Sequence, residues 1–374
     1  MDAKDIQVQA VETRRDLLDF IKFAQHVYKD DPHWVAPLVA ERKALLGSGN
    51  PFWKHSDRIL FLAKRGKRIV GRIEAAVDRN YIEFQRETCG FFGFFECFPD
   101  YRIAQRLLDT VHGWLKAKGV SVMRGPFNPS TNDECGFLLE GFDSDPYVMM
   151  TYTKKYYLDY MERYGLKKAK DLFAYTMPVN PEPPEKLIRG TEIAKKKNPD
   201  VVIRHINMKE YASEVKKVHT VYNASWTKNW GFVPWTGDEF NYLAKQLKPL
   251  AEPELVWFAE VDEKPIGFLM ALPDYNQVLK KLAGRMGPIE IIKFLLNRKK
   301  IRNLRLMAMG VLPQYRRRGI DALLYLESLR VAYRKGYKYC EVSWILEENV
   351  LTQRATEMMG GKLYKKYRIY EIDI

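Results

Sequence analysis

The sequence has few of the residues that build metal centres or disulfide frameworks. Its four cysteines, Cys89, Cys97, Cys135 and Cys340, contain no CxxC pair, and its six histidines are scattered without an HxxxH pair. The polar start, MDAKDIQVQA, lacks the apolar core of a secretory signal. We therefore expect reduced thiols in a cytoplasmic protein and no metal site.

The chain also lacks long apolar runs and the usual nucleic-acid motifs. No apolar stretch approaches the ~18 residues that a membrane-spanning helix needs. There is no zinc finger, RNP-type motif or long Lys/Arg tail, which disfavours a nucleic-acid partner. A net charge of +14 nevertheless favours an anionic partner, such as CoA phosphates or a membrane surface. An inert basic surface would account for most of this charge equally well.

The most informative stretch is MGVLPQYRRRGIDALL, residues 309–324. An apolar run that includes Val311 predicts a strand, which Pro313 ends because proline cannot donate to a sheet ladder. The loop that follows contains three arginines, and Gly319 then allows a ligand to approach the backbone closely. Apolar residues at helical spacing come next. A strand, a basic loop and a helix N-terminus together predict a phosphate site, because amide groups and the positive dipole end face the ligand.

The order V-x-P-x-Y-R-x-x-G-I resembles the acyl-CoA pyrophosphate loop of the GCN5-related N-acetyltransferases, the GNAT superfamily. In the family pattern Q/R-x-x-G-x-G/A, Arg316 matches the first position and Gly319 the fourth, whereas Asp321 stands at the last. A solvated arginine cluster on a strand–helix turn is the alternative. The resemblance implies acyl-CoA as co-substrate and no tightly bound cofactor. It assigns to the acyl-CoA site Met309, Gly310, Val311, Gln314, Arg316, Arg317, Arg318, Gly319, Ile320, Asp321, Ala322 and Asn349.

The second half of the chain repeats the first. The predicted order β-α-β-β-β-α-β-α-β occurs twice, so the sequence resembles two GNAT domains in tandem. We expect an α/β (α+β) protein in which each domain has a mixed, mostly antiparallel sheet flanked by helices. The 374 residues are enough for two such cores. The predicted boundaries are a domain over 1–178, a Pro-rich charged linker over 179–200 and a domain over 201–374.

Only the second half keeps the phosphate-binding loop. It reads PQYRRRGI over residues 313–320, whereas the matching residues 99–103 read PDYRI. Two arginines and the glycine are missing from the first half. We therefore expect a degenerate first domain and acyl-CoA binding by the second.

A polar run in the first half is the candidate acceptor site. Residues 124–152 place polar side chains between apolar stretches, after a strand end where the resemblance implies that the acceptor approaches. Unpaired polar groups are costly when buried, which indicates a role, although a simple turn is the alternative. The candidates for substrate binding are Asn128, Ser130, Thr131 and Asn132, and the candidates for the general base are Glu134 and, second, Asp133.

The resemblance also implies the chemistry, which is direct transfer of an acyl group from CoA to a neutral amine. A general base deprotonates the amine, and a backbone N–H near residues 309–311 stabilises the thioester oxygen. Asn349 matches the asparagine that precedes the usual leaving-group tyrosine by seven residues, so Thr356 occupies the tyrosine position. A threonine hydroxyl is a poor acid. The candidates to replace it are Glu348, Glu347, Tyr364 and a residue of the first domain.

A basic and apolar insertion separates two strands of the second half. Over residues 278–302, apolar side chains interleave with lysines and arginines. A basic amphipathic helix of this kind can lie at a membrane interface. It could instead line a groove for an acyl chain, or pack on its own domain with its lysines in water. The first alternative predicts peripheral contact with an anionic membrane, on its inner face, through residues 278–302.

The insertion, the aromatic run CGFFGFFECF and the positive charge favour a long acyl chain over acetyl. The whole-chain pattern, including YKDDPHWVAPL and NPSTNDECG, also resembles a group of tandem bacterial GNAT proteins. Bacterial ceramide synthases, which N-acylate a sphingoid base from a fatty acyl-CoA, are similar to that group. The resemblance thus implies an N-acyltransferase that moves a fatty chain from CoA to the primary amine of a lipid-like acceptor. The alternatives are an acetyl-CoA N-acetyltransferase for a small soluble amine and an inactive acyl-CoA-binding protein, each as a monomer or dimer.

Overall fold

The computed structural model describes residues 6–374. The elements of the first half are β1 (Ile6–Ala10), α1 (Arg14–Val27), α2 (Val39–Leu45), β2 (Ser56–Arg65), β3 (Arg68–Asp78), α3 (Arg79–Gln85), β4 (Cys89–Cys97), α4 (Tyr101–Ala117), β5 (Val122–Gly125), β6 (Phe127–Asn128), β7 (Glu134–Cys135), β8 (Phe137–Glu140), α5 (Tyr156–Tyr164) and β9 (Lys167–Pro178). Those that follow are α6 (Glu185–Lys197), β10 (Val202–His205), α7 (Tyr211–Ser225), α8 (Gly237–Leu247), β11 (Val256–Val261), β12 (Lys264–Pro273), α9 (Asn276–Leu279), α10 (Pro288–Asn297), β13 (Asn303–Val311), α11 (Ile320–Arg334), β14 (Tyr339–Leu346), α12 (Val350–Met358) and β15 (Lys362–Asp373).

The chain forms two compact units. Unit 1 contains the described residues up to Leu172 together with Asn276–Leu296 and Lys365–Ile374. Unit 2 contains Phe173–Tyr275 and Asn297–Tyr364. Neither unit is a continuous stretch of sequence.

In unit 1 the strands follow the order β1-β2-β3-β4-β5, and the end of β15 pairs antiparallel with β5. Strands β2, β3 and β4 are antiparallel, whereas β4 and β5 are parallel. Successive side chains of a strand point to opposite sides of the sheet, and helices cover both sides. Phe61 and Ala63 belong to the core that includes α4, and Leu60 and Leu62 pack with α1.

In unit 2 the strands repeat this arrangement in the order β14-β13-β12-β11-β10. Strands β10 to β13 are antiparallel, and β13 pairs in parallel with β14. The parallel pairing covers only Asn303–Leu306, so the two strands part after that point. Met307 is an extra residue in β13, because Ala271 pairs with Leu306 and the preceding Met270 with Ala308. The predicted α+β class and the repeated order of mixed sheets are confirmed.

The unit boundaries differ from the predicted ones. Helix α6 occupies most of the predicted linker and packs against α11 within unit 2, with Leu187 and Ala194 buried. The charges read as a linker are the exposed face of this helix. Residues 276–296 and 365–374 belong to unit 1 instead of a second contiguous domain. Local sequence pattern identifies a strand or a helix but does not show which sheet or core it joins.

The insertion is anchored in unit 1 by polar contacts. The backbone N–H of Val39 donates to the carbonyl oxygen of Gly284 at 3.1 Å. The side-chain amide of Asn276 donates to the carbonyl oxygen of Pro146 at 2.8 Å. Over residues 6–374, no helix combines the length and the apolar character that crossing a bilayer requires.

Candidate active site

The basic loop of unit 2 ends at a glycine that no other residue could replace without strain. Gly319 has φ +81° and lies directly before α11. A Cβ there would be 2.8 Å from the Cβ of Ala194 in α6. Arg317 also has a positive φ, of 60°. Among the described residues no side chain caps the start of α11, so its first N–H groups are available to an anion.

Two side chains of unit 2 fix the backbone of this loop. The buried amide of Asn198 donates to the carbonyl oxygen of Arg318 at 3.1 Å and to that of Ala194 at 2.7 Å. The guanidinium of Arg316 donates to the carbonyl oxygens of Val311, at 3.3 Å, and Ser225. Arg316 therefore ties the loop to the end of β13 and to α7. Arg316, Arg317 and Arg318 are all exposed residues.

The other residues that the resemblance assigns to the acyl-CoA site lie along the same strand–loop–helix. Gly310, near the end of β13, packs tightly on α7, since a Cβ would be 2.9 Å from the Oγ of Ser225. Ile320, the first residue of α11, is buried. The remaining predicted residues in this stretch are Met309 and Val311 in β13, Gln314 in the short helical turn Pro313–Tyr315, and Asp321 and Ala322 in the first turn of α11.

Asn349 and Thr356 have structural partners within α12. The side chain of Asn349 caps this helix by accepting from the backbone N–H of Thr352 at 3.3 Å. Thr356 is fully buried and its hydroxyl donates to the carbonyl oxygen of Thr352 at 2.8 Å. Thr356 is thus engaged where the family pattern has a tyrosine. Glu348 is exposed just before the helix.

A buried polar network of unit 2 was not identified from the sequence. Arg305 and Glu341 are cross-strand neighbours in the parallel pair β13–β14, and both are almost fully buried. The Oγ of Ser343 donates to Glu341 at 2.6 Å, and the Nε of Arg305 donates to Ser343 at 3.1 Å. The hydroxyl of Tyr364 also donates to Glu341. The network lies next to the point where the two strands part, and charged residues inside the strands LRLMAM and CEVSW were its available signal.

In unit 1 the corresponding helix start is occupied by its own carboxylate. Asp100 caps α4 by accepting from the backbone N–H of Arg102 at 3.1 Å. It also accepts from the guanidinium groups of Arg102, at 2.7 Å, and Arg65, at 2.8 Å. These bonds hold the pKa of Asp100 well below its usual range. A phosphate at this helix start would have to displace an ionised, doubly paired carboxylate.

The predicted acceptor residues of unit 1 are largely paired with one another and with the backbone. The Oδ1 of Asn128 accepts from the backbone N–H of Phe94 at 2.6 Å. The Oγ of Ser130 donates to Asp133 at 2.5 Å and accepts from the backbone N–H of Asn132 at 3.1 Å, which closes a turn. Thr131, at the tip of this turn, is half-buried.

Glu134, the first candidate for the general base, is bound by arginine. The guanidinium of Arg42 donates to both of its carboxylate oxygens, at 2.7 and 2.8 Å. Both carboxylate oxygens of Glu134 are thus occupied by one guanidinium group. Glu134 is therefore better placed to position Arg42 and the polar turn than to act as a base.

Unit 1 also contains two buried carboxyl groups that the sequence pattern did not single out. Glu74 is 1% exposed, and neither oxygen has a hydrogen-bond partner among the described residues. Burial raises the pKa of Glu74 to about 8. Burial also raises the pKa of Glu96 to about 7, although Arg72 lies nearby and the hydroxyl of Tyr157 donates to it at 2.7 Å. The available signal was a single glutamate in the otherwise apolar strand β4 for Glu96, and a glutamate inside the apolar run IEAAV of β3 for Glu74.

The sequence of the chain is similar to a known family and to known proteins. The model of the acetyltransferase (GNAT) family matches residues 215–360. The chain is 36% identical over 375 residues to a bacterial ceramide synthase of Caulobacter vibrioides, covering 98% of this chain and 97% of that protein. It is 35% identical over 376 residues to protein YghO of Escherichia coli K12, covering 98% and 95%.

Solved structures share the fold at low sequence identity. A tandem GNAT protein from the clavulanic acid biosynthesis pathway aligns over 98% of both chains with a TM-score of 0.56 and 11% identity. A GCN5-related N-acetyltransferase from Sphaerobacter thermophilus covers 99% of this chain and 96% of its own, with a TM-score of 0.52 and 14% identity.

Proposed function

The chain belongs to the GNAT family and is an acyl-CoA-dependent N-acyltransferase, and we propose that it moves a long fatty chain from CoA to the primary amine of a lipid-like acceptor such as a sphingoid base. The relative named bacterial ceramide synthase supports this choice, because its similarity extends over nearly the whole of both chains. The exposed apolar residues of α10 also support a lipid substrate. The proposed location is cytoplasmic, with peripheral contact at the inner membrane face.

The observation that carries the assignment of the CoA site within this proposal is the difference between the two loops. In unit 2 the start of α11 follows Gly319 and lacks a capping side chain among the described residues, and Arg317 and Arg318 are exposed beside it. In unit 1 the start of α4 is capped by Asp100. We therefore assign the CoA pyrophosphate to unit 2, where amide groups, the helix dipole and two cations attract it. Unit 1 is the degenerate domain in this proposal.

The amine must lose a proton before it attacks the thioester carbon. Glu134 is engaged by Arg42, and Glu348 is exposed to solvent. The buried Glu341, to which the hydroxyl groups of Ser343 and Tyr364 donate, is a further candidate for receiving that proton through those hydroxyl groups, and the guanidinium of Arg305 lies 3.5 Å from it. Such a relay would also offer the Tyr364 hydroxyl as a proton source for the leaving thiolate, in place of the engaged Thr356.

The test is release of CoA thiol by the purified protein. Palmitoyl-CoA with a sphingoid base should give rapid release, and acetyl-CoA with the same amine should be slower. Palmitoyl-CoA with a small polar amine is the matched control for the acceptor. Faster turnover of acetyl-CoA with the small amine would favour an acetyltransferase instead. Binding of palmitoyl-CoA without thiol release for any amine would identify an inactive binding protein.

A further inference from the structure

Helix α10 exposes its largest apolar side chains to solvent. The exposed fractions are 64% for Ile289, 44% for Ile291, 58% for Ile292, 49% for Leu295 and 69% for Leu296. None of the residues of this helix is buried. Exposed apolar residues scattered singly are ordinary, but a contiguous group of five on one short helix marks an interaction surface.

Helix α10 exposes its apolar side to solvent instead of packing it against unit 1. In a surface helix of a globular protein the apolar stripe faces the core. At 3.6 residues per turn, the five exposed apolar residues of α10 occupy about half of its circumference. The half-buried positions on the other side are Glu290, Phe294 and Asn297. The protein thus contacts the more polar side of the helix and leaves the apolar side to another partner.

The segment that precedes α10 is held firmly by unit 1. Besides the contacts of Gly284 and Asn276 described above, the Nζ of Lys280 lies 2.5 Å from a carboxylate oxygen of Asp145. Val278 and Leu282 are buried in the same segment. These contacts fix the position of the segment that leads into α10. The apolar side of the helix is therefore exposed while this segment stays packed on unit 1.

The charge around this apolar face is almost entirely positive. Lys281 and Arg285 are exposed before the helix, Lys293 is exposed within it, and the exposed Arg298–Lys300 follow it directly in the chain. Apolar side chains with a basic border match the interface of an anionic bilayer. A second copy of the chain fits less well, because a symmetric contact would bring two basic borders together.

We propose that α10 is a docking surface for an anionic membrane, with Ile292 and Leu296 at the centre of the inserted side. The choice of a bilayer as occupant rests in part on the proposed function, because a lipid acceptor is presented at a membrane surface. The basic residues beside the helix would contact the anionic head groups. Docking would hold the enzyme where its lipid substrates are concentrated.

The experiment is flotation of the full chain with vesicles of phosphatidylcholine, with and without phosphatidylglycerol. Wild type should float with the anionic vesicles, and this binding should weaken at high salt because the head-group contacts are screened. The double variant Ile292→Glu, Leu296→Glu should reduce the partition coefficient at least about tenfold. Leu351→Glu is the matched control, because Leu351 is 74% exposed on α12 and should bind vesicles like wild type.

Equal flotation of wild type and the double variant would overturn the proposal. A wild-type dimer in sedimentation without vesicles, converted to a monomer by the double variant, would also overturn it in favour of self-association. Thiol release separates this inference from the proposed function. A protein that binds vesicles but releases no CoA would support the docking surface and contradict the proposed function. A protein that releases CoA but does not bind vesicles would support the proposed function and contradict the docking surface.

Discussion

Replacing Gly319 by alanine should damage both the packing of unit 2 and the proposed acyl-CoA site. The new Cβ would lie 2.8 Å from the Cβ of Ala194, well inside the ~3.5–4.0 Å of an ordinary contact between carbon atoms. The residue would also have to keep a φ of +81°, which an L-residue adopts at a cost. Helix α6 and the loop would have to move apart, which would displace the backbone N–H groups that we assign to the CoA pyrophosphate.

The structure allows the two costs to be separated. A positive φ costs an alanine about 1–2 kcal/mol. Overpacking against Ala194 adds about 1–3 kcal/mol, so the free energy of unfolding of unit 2 should fall by about 2–5 kcal/mol. Gly66→Ala is the matched control, because Gly66 has φ +58° and no atom lies within 4 Å of the place that a Cβ would take there. It should carry only the cost of the backbone conformation.

The assay is denaturant unfolding of both variants, together with titration of palmitoyl-CoA into the folded proteins. Gly319→Ala should lower the unfolding midpoint more than Gly66→Ala and weaken palmitoyl-CoA binding at least about tenfold, which corresponds to about 1.4 kcal/mol. Equal destabilisation of the two variants would refute the tight contact with α6. Unchanged affinity in a destabilised but folded Gly319→Ala protein would refute the assignment of the loop as the acyl-CoA site.

Three further sets of substitutions test Glu74, the Arg42–Glu134 pair and Tyr364. Burial raises the pKa of Glu74 to about 8, so its ionisation destabilises the folded state. Relative to wild type, Glu74→Gln should therefore stabilise the protein increasingly as pH rises from about 4.5 to 8, by up to about 4 kcal/mol. The same difference in unfolding free energy between variant and wild type at pH 5 and at pH 8 would contradict this. Arg42→Ala should cost about 2–4 kcal/mol by leaving Glu134 unpaired, and Glu134→Gln in the same chain should recover part of that loss. Tyr364→Phe should slow thiol release at least about tenfold, and change its pH profile, with palmitoyl-CoA affinity unchanged; a loss of about 1 kcal/mol in stability alone would make its bond to Glu341 structural.

The sequence allowed the class, the repeated strand order and the basic loop to be predicted, because each depends on local pattern. Alternation and helical spacing identify strands and helices. The glycine requirement at residue 319 also follows from local geometry, and its φ of +81° agrees with it. The structure adds that α6 supports this loop through Asn198 and Ala194, whereas the proline and charge content of residues 179–200 had indicated a linker.

The catalytic candidates were harder to predict because their roles depend on contacts between distant residues. Glu134 was an attractive base in the sequence, but its partner Arg42 lies 92 residues away along the chain. Glu341 had no motif to mark it, and its environment is created by Arg305 and Tyr364 from two other strands. The orientation of α10 is a comparable case, since its amphipathic pattern predicts a helix but does not say which side faces the protein.

The most direct test of the acyl-CoA assignment is calorimetric titration of palmitoyl-CoA into wild type, an Arg317→Gln, Arg318→Gln variant and an Arg102→Gln variant. Arg102 is the control because it lies at the equivalent helix start in unit 1, where Asp100 already pairs with it. We expect one site per chain, with affinity at least about tenfold lower in the unit 2 variant and unchanged in Arg102→Gln. Loss of binding in the Arg102 variant, with full affinity in the unit 2 variant, would contradict it.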